Sequence, residues 1–207
     1  MPLDLPELLA PASTAVLTME LQRGVVGDRA SIPELAAVVE AQGVLAAAGR
    51  LAAAARAAGV PVVHCTAEFR PDRAGSATNA PLLAVMGKRP NHLLEGSPEA
   101  EVVPELGPDP GDLVVPRRSG VSPFAGTALD VTLRNLGVRT VVAAGVSVNL
   151  AVLGLAIEAV NLGYRVVVAT DAVAGTPAGY ADAVMDGTIA LLAARLSVDE
   201  IATAWRP

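Results

Sequence analysis

The chain is 207 residues long, 52% hydrophobic and 17% charged, with a mean hydropathy of +0.49. That length fits one domain spanning 1–207, and so apolar a composition excludes a disordered or solvating segment. The net charge of −6 speaks against a nucleic acid or an anionic membrane surface as partner. No apolar run reaches the roughly 18 residues of a membrane span; the longest candidate, 141–157, is broken by Gly145, Ser147 and Asn149 and closed by Glu158. The one cysteine, Cys65, excludes an internal disulfide. The start of the chain (Met1, Asp4, Glu7) lacks the basic character of a secretory leader, so a cytoplasmic protein is expected. Of the fifteen basic residues only Lys88 is a lysine.

In chain order, 14–19 is a first strand, preceded by Pro11 and ending at Glu20. After a loop with Gly24, Gly27 and Asp28, a helix is expected from Ser31 as N-cap, with Glu34 as its capping-box partner and Pro33 in the first turn. Its apolar positions run on in an alanine-rich background towards Gly59, and 61–66 is the second strand. Residues 67–112 hold seven of the sixteen prolines. A loop-rich stretch of that length is more often functional than idle; a short helix at 81–86 is plausible within it. Regularity then returns. A strand at 113–115 precedes a helix at 127–136 with Thr127 and Asp130 as a capping pair, and a strand at 140–144 precedes a helix at 148–162. A strand at 165–170 and a helix at 178–194 follow, with a last short strand and helix in 196–205. Apolar runs alternating with helices point to an α/β fold: a three-layer, doubly wound, mainly parallel sheet with helices on both faces. Ligands in such sheets bind beyond the carboxyl ends of the strands. Attention therefore falls on Glu20 and Gln22, Glu68, Arg117 and Arg118, Ser147 and Asn149, and Asp171.

Dinucleotide-binding, P-loop and nucleophile-elbow patterns are absent. His64 and His92 are far apart without a companion ligand pair, so no zinc set is read, and neither metal nor cofactor is expected. His64 and Cys65 lie inside the second strand, where a hydrogen-bonded core imidazole and a packed thiol are the simplest reading.

The segments Ala15-Val-Leu-Thr-Met-Glu20-Leu-Gln22, Arg117-Arg118-Ser-Gly-Val-Ser122-Pro-Phe124-Ala-Gly-Thr127, Gly145-Val-Ser-Val-Asn149-Leu-Ala151-Val, Asn161-Leu-Gly163-Tyr164 and Asp171-Ala-Val-Ala-Gly175 stand in one order over nearly the whole chain. Together they resemble the isochorismatase-like (cysteine hydrolase) superfamily, whose fold is the one read above. The resemblance implies a catalytic carboxylate at Glu20, where the family has aspartate. It places Arg118, four residues before Ser122, where the family has lysine, and Ala151 where it has the cysteine nucleophile. It also implies a cis peptide at Val146–Ser147, a substrate-binding surface of Gln22, Phe124, Val146, Ser147 and Asn149, and a homo-oligomer.

All three chemical positions differ, and Ala151 offers no nucleophile. The remaining chemistry is non-covalent hydrolysis of a small carbonyl or vinyl-ether metabolite, with Glu20 handling water or proton. The extra methylene of glutamate moves the carboxyl by on the order of 1 Å, a displacement able to cost about 10²-fold in rate. An arginine at 118 could pair bidentately with Glu20, which would suit Glu20 as a general base better than as an acid. The alternative is an inert Glu20–Arg118 pair in a catalytically silent relative that binds a metabolite or a partner protein. Gln22 either orients a ligand or holds the following loop, Asn149 either faces the ligand or caps its helix, and Phe124 is either pocket wall or core. Trp205 is expected to pack against the sheet or at a subunit contact. Arg70 and Arg73 are read as solvated charge, with an anionic ligand as the alternative.

Overall fold

The structure is a computed structural model and describes residues 4–206; Met1, used above in reading the start of the chain, lies outside them. Six strands form one parallel sheet in the order β3-β2-β1-β4-β5-β6. They are β1 (Thr14–Met19), β2 (Val62–Ala67), β3 (Leu113–Arg117), β4 (Thr140–Val146), β5 (Arg165–Ala174) and β6 (Ala194–Leu196). The helices are α1 (Leu5–Leu8), α2 (Pro33–Ala41), α3 (Val44–Ala57), α4 (Pro81–Lys88), α5 (Leu129–Asn135), α6 (Leu153–Asn161), α7 (Ala178–Val184), α8 (Ala190–Leu192) and α9 (Val198–Ala204).

The period-2 alternation of buried strands divides their side chains between two cores. Val16, Val142, Ala144, Val167 and Ala169 face the first, with α2, α3 and α9. Ala15, Leu17, Met19, Val141, Ala143 and Val168 face the second, with α5, α6 and α7. The expected three layers are therefore present. Trp205 closes the first core, and its indole N–H donates to the Leu9 carbonyl at 2.8 Å.

Local structure departs from expectation where a side chain found a better partner. Ser31 is not a cap: Ile32 holds that position, and the Ser31 hydroxyl bonds His92 Nδ1 instead. The long helix after it breaks at Gly43, whose φ of 66° lies in the left-handed region. Asp130 does not share a cap with Thr127; it takes Arg134 and the Tyr164 hydroxyl. The third strand extends to Arg117, and β5 runs on to Ala174, past the expected end. Asp171 consequently lies within β5, accepting from the Val198 amide, rather than at a strand end.

The chain winds outwards from β1 through β2 to β3, then crosses back to β4 and winds the other way through β5 and β6. The strand order reverses between β1 and β4, the position where such sheets open a ligand crevice. Gly145 makes the junction tight. Its φ is 110°, and a Cβ there would stand 2.2 Å from the Met19 carbonyl oxygen. Gly145→Ala is therefore expected to destabilise the fold by about 2 kcal/mol or more, read as a lower urea midpoint; a wild-type midpoint would contradict this account of the junction.

Candidate active site

The carboxyl ends of β1, β3 and β4 open into one cavity of about 300 Å³. Glu20 follows β1, Arg117 ends β3, and Ser147, Asn149 and Ala151 come from the turn after β4. Much of the remaining wall is apolar, including Leu35 from α2, Leu83 and Met86 from α4, and Phe69 and Leu93 from the loop-rich stretch.

Glu20 has φ 49°, uncommon for a residue with a side chain. Its backbone amide donates to the Cys65 carbonyl at 3.0 Å. Its carboxylate is held by Arg117, whose Nη2 donates to Oε1 at 2.7 Å while Nε donates to the Gly120 carbonyl at 3.1 Å. Both side chains are largely buried, 17% exposed for Glu20 and 10% for Arg117. Among the described residues, Glu20 Oε2 takes no hydrogen bond, and Arg117 Nη1 is buried without a partner.

Arg118, expected opposite Glu20, does not meet it. It reaches Glu95 at 3.0 Å, and both side chains are about half exposed. The reason is the pleat. Val115 and Arg117 point into the protein while Pro116 points out, so the residue after Arg117 continues on the outer side. The extension of β3 to Arg117 thus distinguishes the two arginines; counting back from Ser122 does not.

The turn after β4 matches the resemblance closely. The Val146–Ser147 peptide is cis, and the chain enters α6 through a π-helical turn, Val148–Val152. Ser147 Oγ donates to Asn149 Oδ1 at 2.9 Å, and Asn149 Nδ2 donates to the Thr176 carbonyl at 3.4 Å. Asn149 is thus no helix cap; it ties this turn to the loop after β5. Ala151 lines the cavity and Val146 is fully buried behind it in the first core.

Two other expected binding residues serve the scaffold. Gln22 is wholly buried; its Nε2 donates to the carbonyls of Ala67 and Ala100 and its Oε1 accepts from the Ala67 amide at 2.8 Å. It therefore clamps the loop after β1 to β2 and to the loop-rich stretch. Phe124 packs in the second core, stacked on Tyr164 with ring centroids 5.9 Å apart. Ser122, the anchor of its motif, donates to Glu158 of α6.

The histidines are structural. His64 bonds Thr18 Oγ1 at 2.7 Å and Asp112 at 3.1 Å. His92 stacks on Phe69 and borders the cavity. Burial pushes its pKa down to about 4, helped by the charges of Arg89 and Arg73. Cys65 is sealed in the second core, where burial pushes its thiol up to about 12. Glu68 accepts from Thr66 Oγ1 at 2.8 Å, and no His/Cys/Asp/Glu group among the described residues is arranged to hold a metal.

The cavity wall supplied by α4, Phe69 and His92 went unread in the sequence. The available signal was the apolar run Leu82–Met86 set among prolines and charges.

A family model for the isochorismatase domain matches residues 14–200. The chain belongs to the isochorismatase family. It is 44% identical over 73 residues to the uncharacterized isochorismatase family protein YwoC of Bacillus subtilis, 35% of this chain and 38% of that protein. It is 33% identical over 129 residues to the ureidoacrylate amidohydrolase RutB of Pseudomonas savastanoi, 56% of this chain and 51% of the other. The matched regions thus span only about a third to half of these curated relatives. Solved structures match over more of their length. An isochorismatase family protein from Desulfovibrio vulgaris aligns with a TM-score of 0.79 at 29% identity, over 92% of this chain and 97% of that one. An N-carbamoylsarcosine amidase from Thermoplasma acidophilum aligns with a TM-score of 0.70 at 26% identity, over 90% and 97%.

The low pKa of His92 makes the sign of one pH effect definite. The unfolded chain takes up the proton near the ordinary 6.5, whereas the folded protein resists it down to about 4. The His92 contribution to stability is thus present above 6.5 and is lost as pH falls towards 4. His92→Asn loses the ring's stacking on Phe69 and should trail the wild type at neutral pH, but it carries no such acid penalty. The gap should therefore narrow by roughly 2 kcal/mol on acidification to about pH 4.5. Urea titrations at both pH values measure it, and a constant gap would show that His92 does not titrate differently in the two states.

Proposed function

We propose that this chain is a hydrolase that works without a covalent intermediate, with Glu20 as general base. The observation that supports this best is the open Oε2 of Glu20 in a cavity whose nucleophile position is Ala151. A carboxylate engaged on one oxygen by a guanidinium is oriented, and its other oxygen is left to accept.

Water set between Glu20 and a substrate carbonyl gives up one proton to Oε2 as its oxygen bonds the carbonyl carbon. The proton then passes to the leaving nitrogen or oxygen as the old bond breaks, and Glu20 returns to its ionised form. Ala151 leaves the space of a thiol vacant for that water. The N-terminal turn of the Val148–Asn161 helical segment, with its positive dipole end, favours the charge that develops on the carbonyl oxygen.

A small amide or ester is the favoured substrate. The relatives bearing amidohydrolase and amidase names point the same way, and a vinyl ether belongs to the same test. The reading calls for a small-molecule partner and no cofactor, in a cytoplasmic homo-oligomer. One observation favours the second reading, a silent metabolite binder: the Arg117 bond already occupies Oε1.

A panel of amides, esters and vinyl ethers should reveal turnover that Glu20→Gln lowers by about 10²–10⁴-fold, with thermal unfolding confirming that the variant folds. Turnover that survives the substitution removes Glu20 from the mechanism. Ligand-induced thermal stabilisation with no turnover on any substrate would favour the binder.

A further inference from the structure

The Glu20 cavity has a neighbour. Phe69 and Leu83 line both it and a second cavity of about 390 Å³. Three of the fifteen basic residues, Arg73, Lys88 and Arg118, line this second cavity, and no acidic residue does. In a chain of net charge −6 such a gathering runs against the average field. Three separate elements deliver it: the loop after β2, the last turn of α4 and the residue following β3.

The charges are only partly compensated. Glu95 accepts from Arg118 Nη2 at 3.0 Å, but both partners are half exposed, where water screens the pair. Arg73 is fixed in place. Its guanidinium carbon lies 4.8 Å from the centre of the Phe69 ring, and Nη2 donates to the carbonyls of Arg89 and His92 at 3.1 Å. Its Nη1 is buried without a partner, and so is the Oγ of Ser76, a residue that lines the same cavity. These are two of the four such side-chain atoms among the described residues, and a third is Arg117 Nη1. Native proteins keep few buried polar atoms unpaired, and an absent ligand or ion is one of the physical reasons for those that remain. Burial also lowers the pKa of Arg73, a cost that a nearby anion would relieve.

We propose that the second cavity is an anion-binding subsite, taking a carboxylate or phosphate borne by the molecule whose apolar body and reacting end occupy the Glu20 cavity. This deepens the hydrolytic reading by giving the substrate an anionic group away from the bond that breaks. It rests on that reading for the word substrate, but its test reads binding, so the two can fail separately.

Hexanoate, its neutral and unhydrolysable counterpart 1-hexanol and inorganic phosphate are titrated calorimetrically into the full chain at low ionic strength. Hexanoate should bind at least about tenfold more tightly than 1-hexanol, and added salt should shrink the difference. In the double variant Lys88→Ala/Arg118→Ala, at two exposed positions, the preference should shrink, and in the triple variant that adds Arg73→Gln the two should bind alike; circular dichroism checks both folds. Saturable phosphate binding that competes with hexanoate identifies phosphate as a second accepted group, whereas hexanoate binding alone narrows the subsite to carboxylates. Equal affinity for hexanoate and 1-hexanol in the wild type would overturn the proposal. A preference that persists in the triple variant would also overturn it, by placing the anion outside the second cavity, on Arg117.

Discussion

The backbones of Gly145 and Met19 approach so closely that not even one methyl group fits between them. This contact joins the two strands at which the sheet reverses its winding, and the carboxyl ends of both carry the site. Glu20 follows Met19 directly, and Ser147 follows Gly145 by two residues. A looser junction would separate the carboxylate from the turn that faces it across the cavity. Since orientation errors near 1 Å are expensive in catalysis, the packing of two backbones sets the tolerance within which any chemistry here operates.

Around that junction the polar groups divide their work. Arg117 orients Glu20, Gln22 fastens the strand ends to the loop-rich stretch, and Asn149 fastens the turn after β4 to the loop after β5. Each is buried or nearly so, where an unpaired polar group costs more than a made bond returns. Buried hydrogen bonds of this kind select one arrangement of the loops among many. The apolar wall of α4 is different: none of its residues is fully buried, and Leu82, Leu83 and Met86 meet the cavity rather than either core. The rim is thus rigid on the strand side and lightly held on the α4 side, the pattern expected where ligands enter.

The sheet was legible because buried parallel strands are short apolar runs, and 14–19, 140–144 and 165–170 could scarcely be anything else. The location of the site followed from topology, and the cis peptide from the resemblance. What was misread shares one cause. Ser31 and Asp130 are polar residues whose partners lie far along the chain, at His92 and Tyr164, and local pattern carries no information about distant partners. Arg118 is a separate case: motif counting selected it while the expected strand stopped at 115, two residues short of Arg117. Phe124 was assigned to the cavity by analogy, although the core behind it had the stronger claim on an aromatic ring.

The sealed thiol of Cys65 has a practical consequence. Alkylating agents attack thiolates, and a thiol buried in the second core with its pKa pushed up to about 12 presents almost none. In a family known for cysteine chemistry, this folded chain should be indifferent to iodoacetamide. Modification of its one sulfhydryl therefore becomes a clean report of unfolding, with no contribution from the site itself.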